Sequence, residues 1–204
     1  MNISVPFLPF ALASSSGTEW QVDGDRIEVT SSPQTDYFID PGYTEVPDEY
    51  TRLNADTLLG ELPASDFSFA ARVSVDFQST FDAGVLLLWQ DDRTWAKLCF
   101  EYSPSEEGMV VSVVARDFAD DANAFDTPAR SIWLRIARMG RVIALHASLD
   151  GKRWRMVRVF TFGAVAEPMK IGFLAQSPNG AGCHVVFDHI SYAPEAPKEI
   201  RDGA

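Results

Sequence analysis

Cysteine is almost missing from this sequence: Cys99 and Cys183 are the only two in 204 residues. Two cysteines make no disulfide framework. Both stand in apolar, strand-like runs, so the expectation is two buried free thiols in a reducing compartment. No apolar stretch approaches the length that a bilayer crossing needs, so no membrane partner is expected. Basic residues are scarce beside acidic ones, 17 Lys and Arg against 29 Asp and Glu, which leaves a formal charge of −12. Such a chain would repel phosphate instead of releasing counterions from it, and nucleic acid is excluded as an expected partner. There is no Gly-x-Ser-x-Gly elbow, no Gly-rich phosphate cradle and no Cys/His pair with local support. Convincing helical periodicity is absent too, as are linkers, repeats and low-complexity segments.

What remains is a chain that is 46% hydrophobic and therefore neither disordered nor membrane-embedded. Its N-terminus, MNISVPFLPFALASS, carries an apolar run ending in Ala11-Leu12-Ala13, as export signals do. It lacks a basic start, and Pro6 and Pro9 interrupt the run. A first strand and a cytoplasmic location are the better expectation.

Period-two alternation supplies most of the pattern. In Ser68–Phe77, Phe69, Ala71, Val73, Val75 and Phe77 fall on one side, with Ser68, Arg72, Ser74 and Asp76 on the other. Ala83–Trp89 is a continuous apolar run, as in a strand covered on both faces. Further strands are expected over 94–102, 109–116, 131–138, 141–149, 153–160, 169–176 and 183–191. Met139-Gly140 and Asp150-Gly151 are hairpin signals between them. Ten or so short strands punctuated by turns imply an all-β antiparallel sandwich or barrel. One domain is expected over 1–193, followed by an unpacked tail over 194–204 containing Pro194 and Pro197.

Charge is uneven along the chain. Residues 1–128 hold 6 basic and 23 acidic residues, and residues 129–204 hold 11 and 6. The basic excess lies in the hairpins from Arg130 to Arg158. The arginines are expected to line an outer face beside acidic strands, with the two segments interleaved.

Several pieces resemble one family. Phe81-Asp82-Ala83-Gly84-Val85-Leu86-Leu87-Leu88-Trp89 is followed by Asp91-Asp92, Trp95-Ala96-Lys97 and Glu101. This is similar to the paired central strands of domain-of-unknown-function family thirteen-forty-nine, some of whose members are labelled "regulation of enolase" proteins. Ser148-Leu149-Asp150-Gly151-Lys152-Arg153-Trp154, Lys170-Ile171-Gly172-Phe173-Leu174-Ala175-Gln176-Ser177-Pro178 and Val186-Phe187-Asp188 agree with it. So does Thr35-Asp36-Tyr37-Phe38-Ile39-Asp40-Pro41, which resembles the family's early Asp-aromatic element. Sequences of this type often carry Asp-Trp where this one has Asp117-Phe118. The resemblance implies a two-sheet, concanavalin A-like jelly roll of the lectin and glucanase type. It says little about activity, although the label admits a regulatory role toward a metabolic enzyme.

On such a fold, alternation puts Trp95, Lys97, Cys99 and Glu101 on the concave face, and Ala96, Leu98 and Phe100 in the core. An indole, an ammonium and a carboxylate in one row suit a sugar, with Trp95 stacking on the ring and Lys97 and Glu101 bonding to hydroxyls. Arg116, Gln176 and His184 are polar positions in otherwise apolar runs and are expected to point at the same surface. Asp36 would serve as a lip over the groove or bond backbone amides in a turn. The acidic runs Asp91-Asp92 and Asp117/Asp120-Asp121 show no regular calcium-ligand spacing, and Asp121–Asp126 reads as a loop tip. His184 and Asp188 share a strand face without further ligands nearby, so neither metal nor cofactor is expected. The expected partner is a small carbohydrate or sugar-derived metabolite, with homodimerisation left open. An enzyme with Glu101 as acid or base is the alternative, although glycoside hydrolysis needs a second carboxylate that the sequence does not place.

Overall fold

A computed structural model describes residues 2–15, 17–163, 168–201 and 203. Among these, seventeen strands and no helix are present. The first seven are short pieces: β1 (Asn2–Ile3), β2 (Leu12–Ser14), β3 (Gln21–Asp23), β4 (Arg26–Thr30), β5 (Tyr37–Phe38), β6 (Arg52–Leu53) and β7 (Asp56–Glu61). The middle of the chain supplies the longer strands β8 (Phe67–Asp76), β9 (Ala83–Asp91), β10 (Thr94–Tyr102), β11 (Gly108–Arg116) and β12 (Phe118–Thr127). The rest are β13 (Ser131–Met139), β14 (Val142–Ser148), β15 (Arg155–Phe160), β16 (Lys170–Gln176) and β17 (His184–Ala193).

Two antiparallel sheets face each other. One runs β1-β2-β7-β16-β9-β10-β11-β12 and the other β15-β14-β13-β8-β17-β4-β3. This is the expected sandwich. The strand expected over 94–102 coincides with β10, and β8 keeps its alternation, with Phe67, Phe69, Ala71 and Val73 all buried. Between the sheets lies the main core, drawn from both: Leu86, Leu88, Leu98 and Phe100 from one, Phe69, Leu134, Leu145 and Phe187 from the other. Each such side chain contributes about 1.5–3 kcal/mol on burial. Gly84 fixes the spacing there, because a Cβ at this position would stand 2.6 Å from methyls of Val73 and Val185.

The central strands of the eight-stranded sheet are covered on their outer face as well. A second apolar cluster there joins Val85, Leu87, Trp95, Cys99, Val111, Val113 and Leu174 to Tyr37 and Ile39. Tyr37 belongs to a two-stranded lip, β5 paired with β6, which lies over the sheet. Coverage on both sides explains why β9 reads as an unbroken apolar run.

Three expectations are corrected. The stretch Asp121–Asp126 is no loop tip: it lies in β12, paired with β11 at the sheet edge at every residue but Ala124. An edge strand with one solvated face tolerates such polarity. The tail is not unpacked either. The Ile200 carbonyl bonds His146 Nε2 at 2.7 Å, and the Gly203 carbonyl accepts from Arg135 Nη2 at 2.8 Å, so this segment covers the outer face of β13 and β14. Nor are the two charge segments evenly interleaved. Seven of the eight strands in the larger sheet precede residue 128, while β13, β14 and β15 form one edge of the other. The basic edge closes on the acidic one, where Arg158 Nη2 meets Asp120 Oδ1 at 3.2 Å. Both thiols are free and buried. Among the described residues no helix is long and apolar enough to cross a membrane.

Candidate functional site

The lip divides the outer face of the eight-stranded sheet into two hollows. One, of about 740 Å³, lies on the side of Trp89, Asp92 and Lys170. The other, of about 900 Å³, has Lys97, Glu101 and Gln176 in its floor and Asp36, Phe38, Tyr43 and Tyr50 in its lip. The second holds the unusual chemistry.

Its floor follows from strand geometry. Lys97 and Glu101 lie four residues apart on one face of β10, their Cα atoms roughly 13 Å apart at about 3.3 Å per residue. At that distance they do not pair with each other. Lys97 Nζ instead reaches Asp36 Oδ1 in the lip and Gln176 Oε1 in β16, each at 3.1 Å. Burial works against the ammonium, but the neighbouring carboxylates, Asp36 foremost, outweigh it and raise its pKa above the ordinary value. The Lys97 side chain is 3% exposed and that of Asp36 19%, so this ion pair ties lip to floor away from most solvent.

Glu101 has no such partner. The residue is 8% exposed and borders the cavity, and among the described residues nothing donates a hydrogen bond to it or stands within ion-pair distance. Burial pushes its carboxyl up to about 8; Lys97 pulls the other way, and Asp121 and Asp36 add to the rise. Asp121 lines the rim from β12, and the protein packed about its carboxyl raises its pKa as well.

The rim is stitched by carboxylates in turns. Asp40 accepts from the backbone N–H groups of Gly42 and Tyr43 at 2.8 and 3.0 Å, and these bonds hold its pKa below the ordinary value. On the opposite side, buried Asp82 accepts from the N–H groups of Gln78 and Ser79 and from Ser177 Oγ at 2.6 Å. Phe81, at φ 72°, projects from this turn into the cavity wall. The lip contributes rings: Phe38 and Tyr43 stack with centroids 6.2 Å apart, and Tyr50 meets Tyr43 edge-on at 6.4 Å.

The structure thus brings Asp36, Lys97, Glu101 and Gln176 together. It does not place the other expected residues with them. Trp95 is fully buried beneath Tyr37, whose ring meets it edge-on at 5.2 Å, so no ligand can stack on the indole. Arg116 ends β11 on the far side and reaches Asp120 and the Thr161 carbonyl. His184 lies in the other sheet, on its outer face, with Nε2 at 3.1 Å from Glu28 Oε2. Asp188 there pairs with Arg72 through two bonds of 2.8 and 2.7 Å. Among the described residues no group of three His, Cys, Asp or Glu side chains could hold a metal ion. Asp121, Phe38, Tyr43 and Tyr50 were missed as site residues. The run of aromatic and acidic residues from Tyr37 to Arg52 was the available signal for the last three.

Comparison with known proteins agrees with this architecture. The family described as "Protein of unknown function (DUF1349)" matches residues 15–195. A relative from Saccharomyces cerevisiae named "Regulation of enolase protein 1" is 25% identical over 181 residues, which span 88% of this chain and 87% of the relative. A crystal structure of a functionally unknown protein from Saccharomyces cerevisiae superposes with a TM-score of 0.78 at 24% identity, covering 90% of this chain and 95% of that one. The carbohydrate binding module CBM66 from Bacillus subtilis shares the fold at a TM-score of 0.57 and 11% identity, over 93% of this chain and 98% of the module.

Proposed function

The chain belongs to the DUF1349 family of proteins of unknown function, and from that premise we propose that it binds a small carbohydrate or sugar-derived metabolite in the pocket between the lip and β10. The observation that carries this reading is the pocket's make-up: buried polar groups in the floor beneath aromatic rings in the lip. A sugar presents an apolar ring face and a fringe of hydroxyls, and such a site answers both. The fold shared with a carbohydrate binding module supports the reading without carrying it.

In this arrangement Glu101 and Gln176 bond to hydroxyls, the Lys97–Asp36 pair holds the lip in place, and Phe38 and Tyr43 replace Trp95 as the stacking surface. Titration calorimetry against a panel of mono- and disaccharides tests it. Saturable binding is expected, weakened at least ten-fold by Glu101→Ala. Binding that Glu101→Ala leaves unchanged would remove the ligand from this pocket.

One observation favours a second reading, an enzyme acting on such a sugar. Glu101 holds its proton up to a pH of about 8, as a general acid must, and Asp121 offers a second carboxyl on the same cavity. Turnover of a sugar substrate that vanishes in a folded Glu101→Gln variant would establish it over binding alone.

A further inference from the structure

Bonding to neutral hydroxyls does not by itself explain why a carboxyl, and not an amide, stands at position 101. A carboxyl group removed from water without a charged or hydrogen-bonding partner is costly whether it stays ionised or takes up a proton, and cores rarely retain one. Here the residue is 8% exposed, borders the cavity, and its carboxyl has no partner among the described residues. The nearest cation, Lys97, is already engaged by Asp36 and Gln176 at 3.1 Å each.

The surroundings point to one kind of partner. Asp121 adds a second carboxyl from the rim. Across the cavity, Tyr43 and Tyr50 leave 65% and 49% of their surface open to solvent, in a cluster stacked on Phe38. A cation is attracted to the face of an aromatic ring by its quadrupole, and to a carboxylate in a partly dry pocket by far more than in water. An anionic ligand, by contrast, would face Asp36, Glu101 and Asp121 on a chain of net charge −12. The two cations of the same lining are already engaged, Lys97 by Asp36 and Gln176, and Arg52 by the Pro178 carbonyl at 2.9 Å.

We propose that the pocket selects a sugar-derived ligand bearing a protonated amine, with the ammonium at Glu101 and the ring against Phe38, Tyr43 and Tyr50. This rests on the carbohydrate reading above and names the ligand class within it. In the free protein Glu101 keeps its proton to about pH 8, so binding the ammonium expels that proton into the buffer.

Calorimetry of the full chain at pH 6.5, in two buffers of different ionisation enthalpy, reads both affinity and proton release. The probes are D-glucosamine, D-glucose, N-acetyl-D-glucosamine, D-glucose 6-phosphate and ethanolamine. Glucosamine is expected to bind at least ten-fold tighter than glucose or N-acetylglucosamine, with close to one proton released, and glucose 6-phosphate not at all. In Glu101→Gln the release disappears and the glucosamine-to-glucose affinity ratio falls to near one. Equal binding of glucose and glucosamine by the wild type overturns the amine selection and leaves the carbohydrate reading standing. Ethanolamine binding as tightly as glucosamine keeps the cation site and overturns the sugar. If none of the five binds, both fall.

Discussion

Glu101 couples the pocket to pH even without a ligand. Its pKa is about 8 in the folded protein against an ordinary 4.5, so between these values the folded chain retains a proton that the unfolded chain has lost. Stability from this group is therefore present below pH 4.5, declines as pH rises from there, and is gone above 8. The ceiling on the loss is roughly 4–5 kcal/mol at 1.36 kcal/mol per pH unit. Glu101→Gln removes the titration, so its denaturant midpoint should stay nearly level from pH 6 to 9 while that of the wild type falls. Parallel curves for the two proteins would mean that Glu101 ionises normally. Alternation along β10 made this residue legible in sequence: positions 95, 97, 99 and 101 share a face because the side-chain period of a strand is two. The same rule misled at Trp95. It gives the face on which a side chain lies, not whether a distant segment such as Tyr37 covers that face.

At the scale of elements, the lip and β10 are joined by the Lys97–Asp36 pair. Removing Asp36 alone would strand a buried ammonium with Gln176 as its only bonding partner, at a cost of about 3 kcal/mol. Replacing both residues removes the charge together with its need for a partner. Denaturant unfolding should show Asp36→Ala/Lys97→Met regaining at least half of what Asp36→Ala loses; additive losses would show the pair to be no more than a surface contact. Sequence reading named both residues but not their pairing, because β5 and β10 are separated by more than fifty residues and alternation carries no information across that distance. His184 and Arg116 failed for related reasons. Alternation in β17 places His184 opposite the core, yet β17 joins the seven-stranded sheet, so "outer face" there means the other side of the sandwich. Arg116 has the parity of Val110 and Val114, whose side chains face inward, and escapes the core only because the strand ends with it. β12 was hidden because its polar residues look like a turn until β11 is seen pairing with every one of its residues but Ala124.

On the scale of the whole molecule, the sandwich and its pocket are built from different parts of the chain. The core between the sheets draws nothing from residues 30–57, while residues 41–50 are exposed throughout and carry Tyr43 and Tyr50. The net charge of −12 is divided in a related way. The acidic edge β12 borders the pocket through Asp121 and Asn123, and meets basic β15 through Asp120 on the side away from it. Fold was legible because it rests on patterns repeated in every strand. The pocket was half legible because its floor is a strand, whereas its lip, β5 and β6 with the exposed segment between them, is placed by contacts between residues distant in sequence, Asp36 to Lys97, Tyr37 to Trp89 and Ile39 to Ala119. Exposed loops that make few core contacts open at low cost, so limited chymotrypsin should cut after Tyr43 or Tyr50 first. The nicked protein should still unfold in one cooperative transition within a few degrees of the intact chain, because both sheets keep their shared core. The saturable sugar binding proposed for the pocket should be lost with the aromatic wall. Binding that survives the nick would confine recognition to the β10 floor, whereas collapse of the fold would show that the lip supports the eight-stranded sheet as well as covering it.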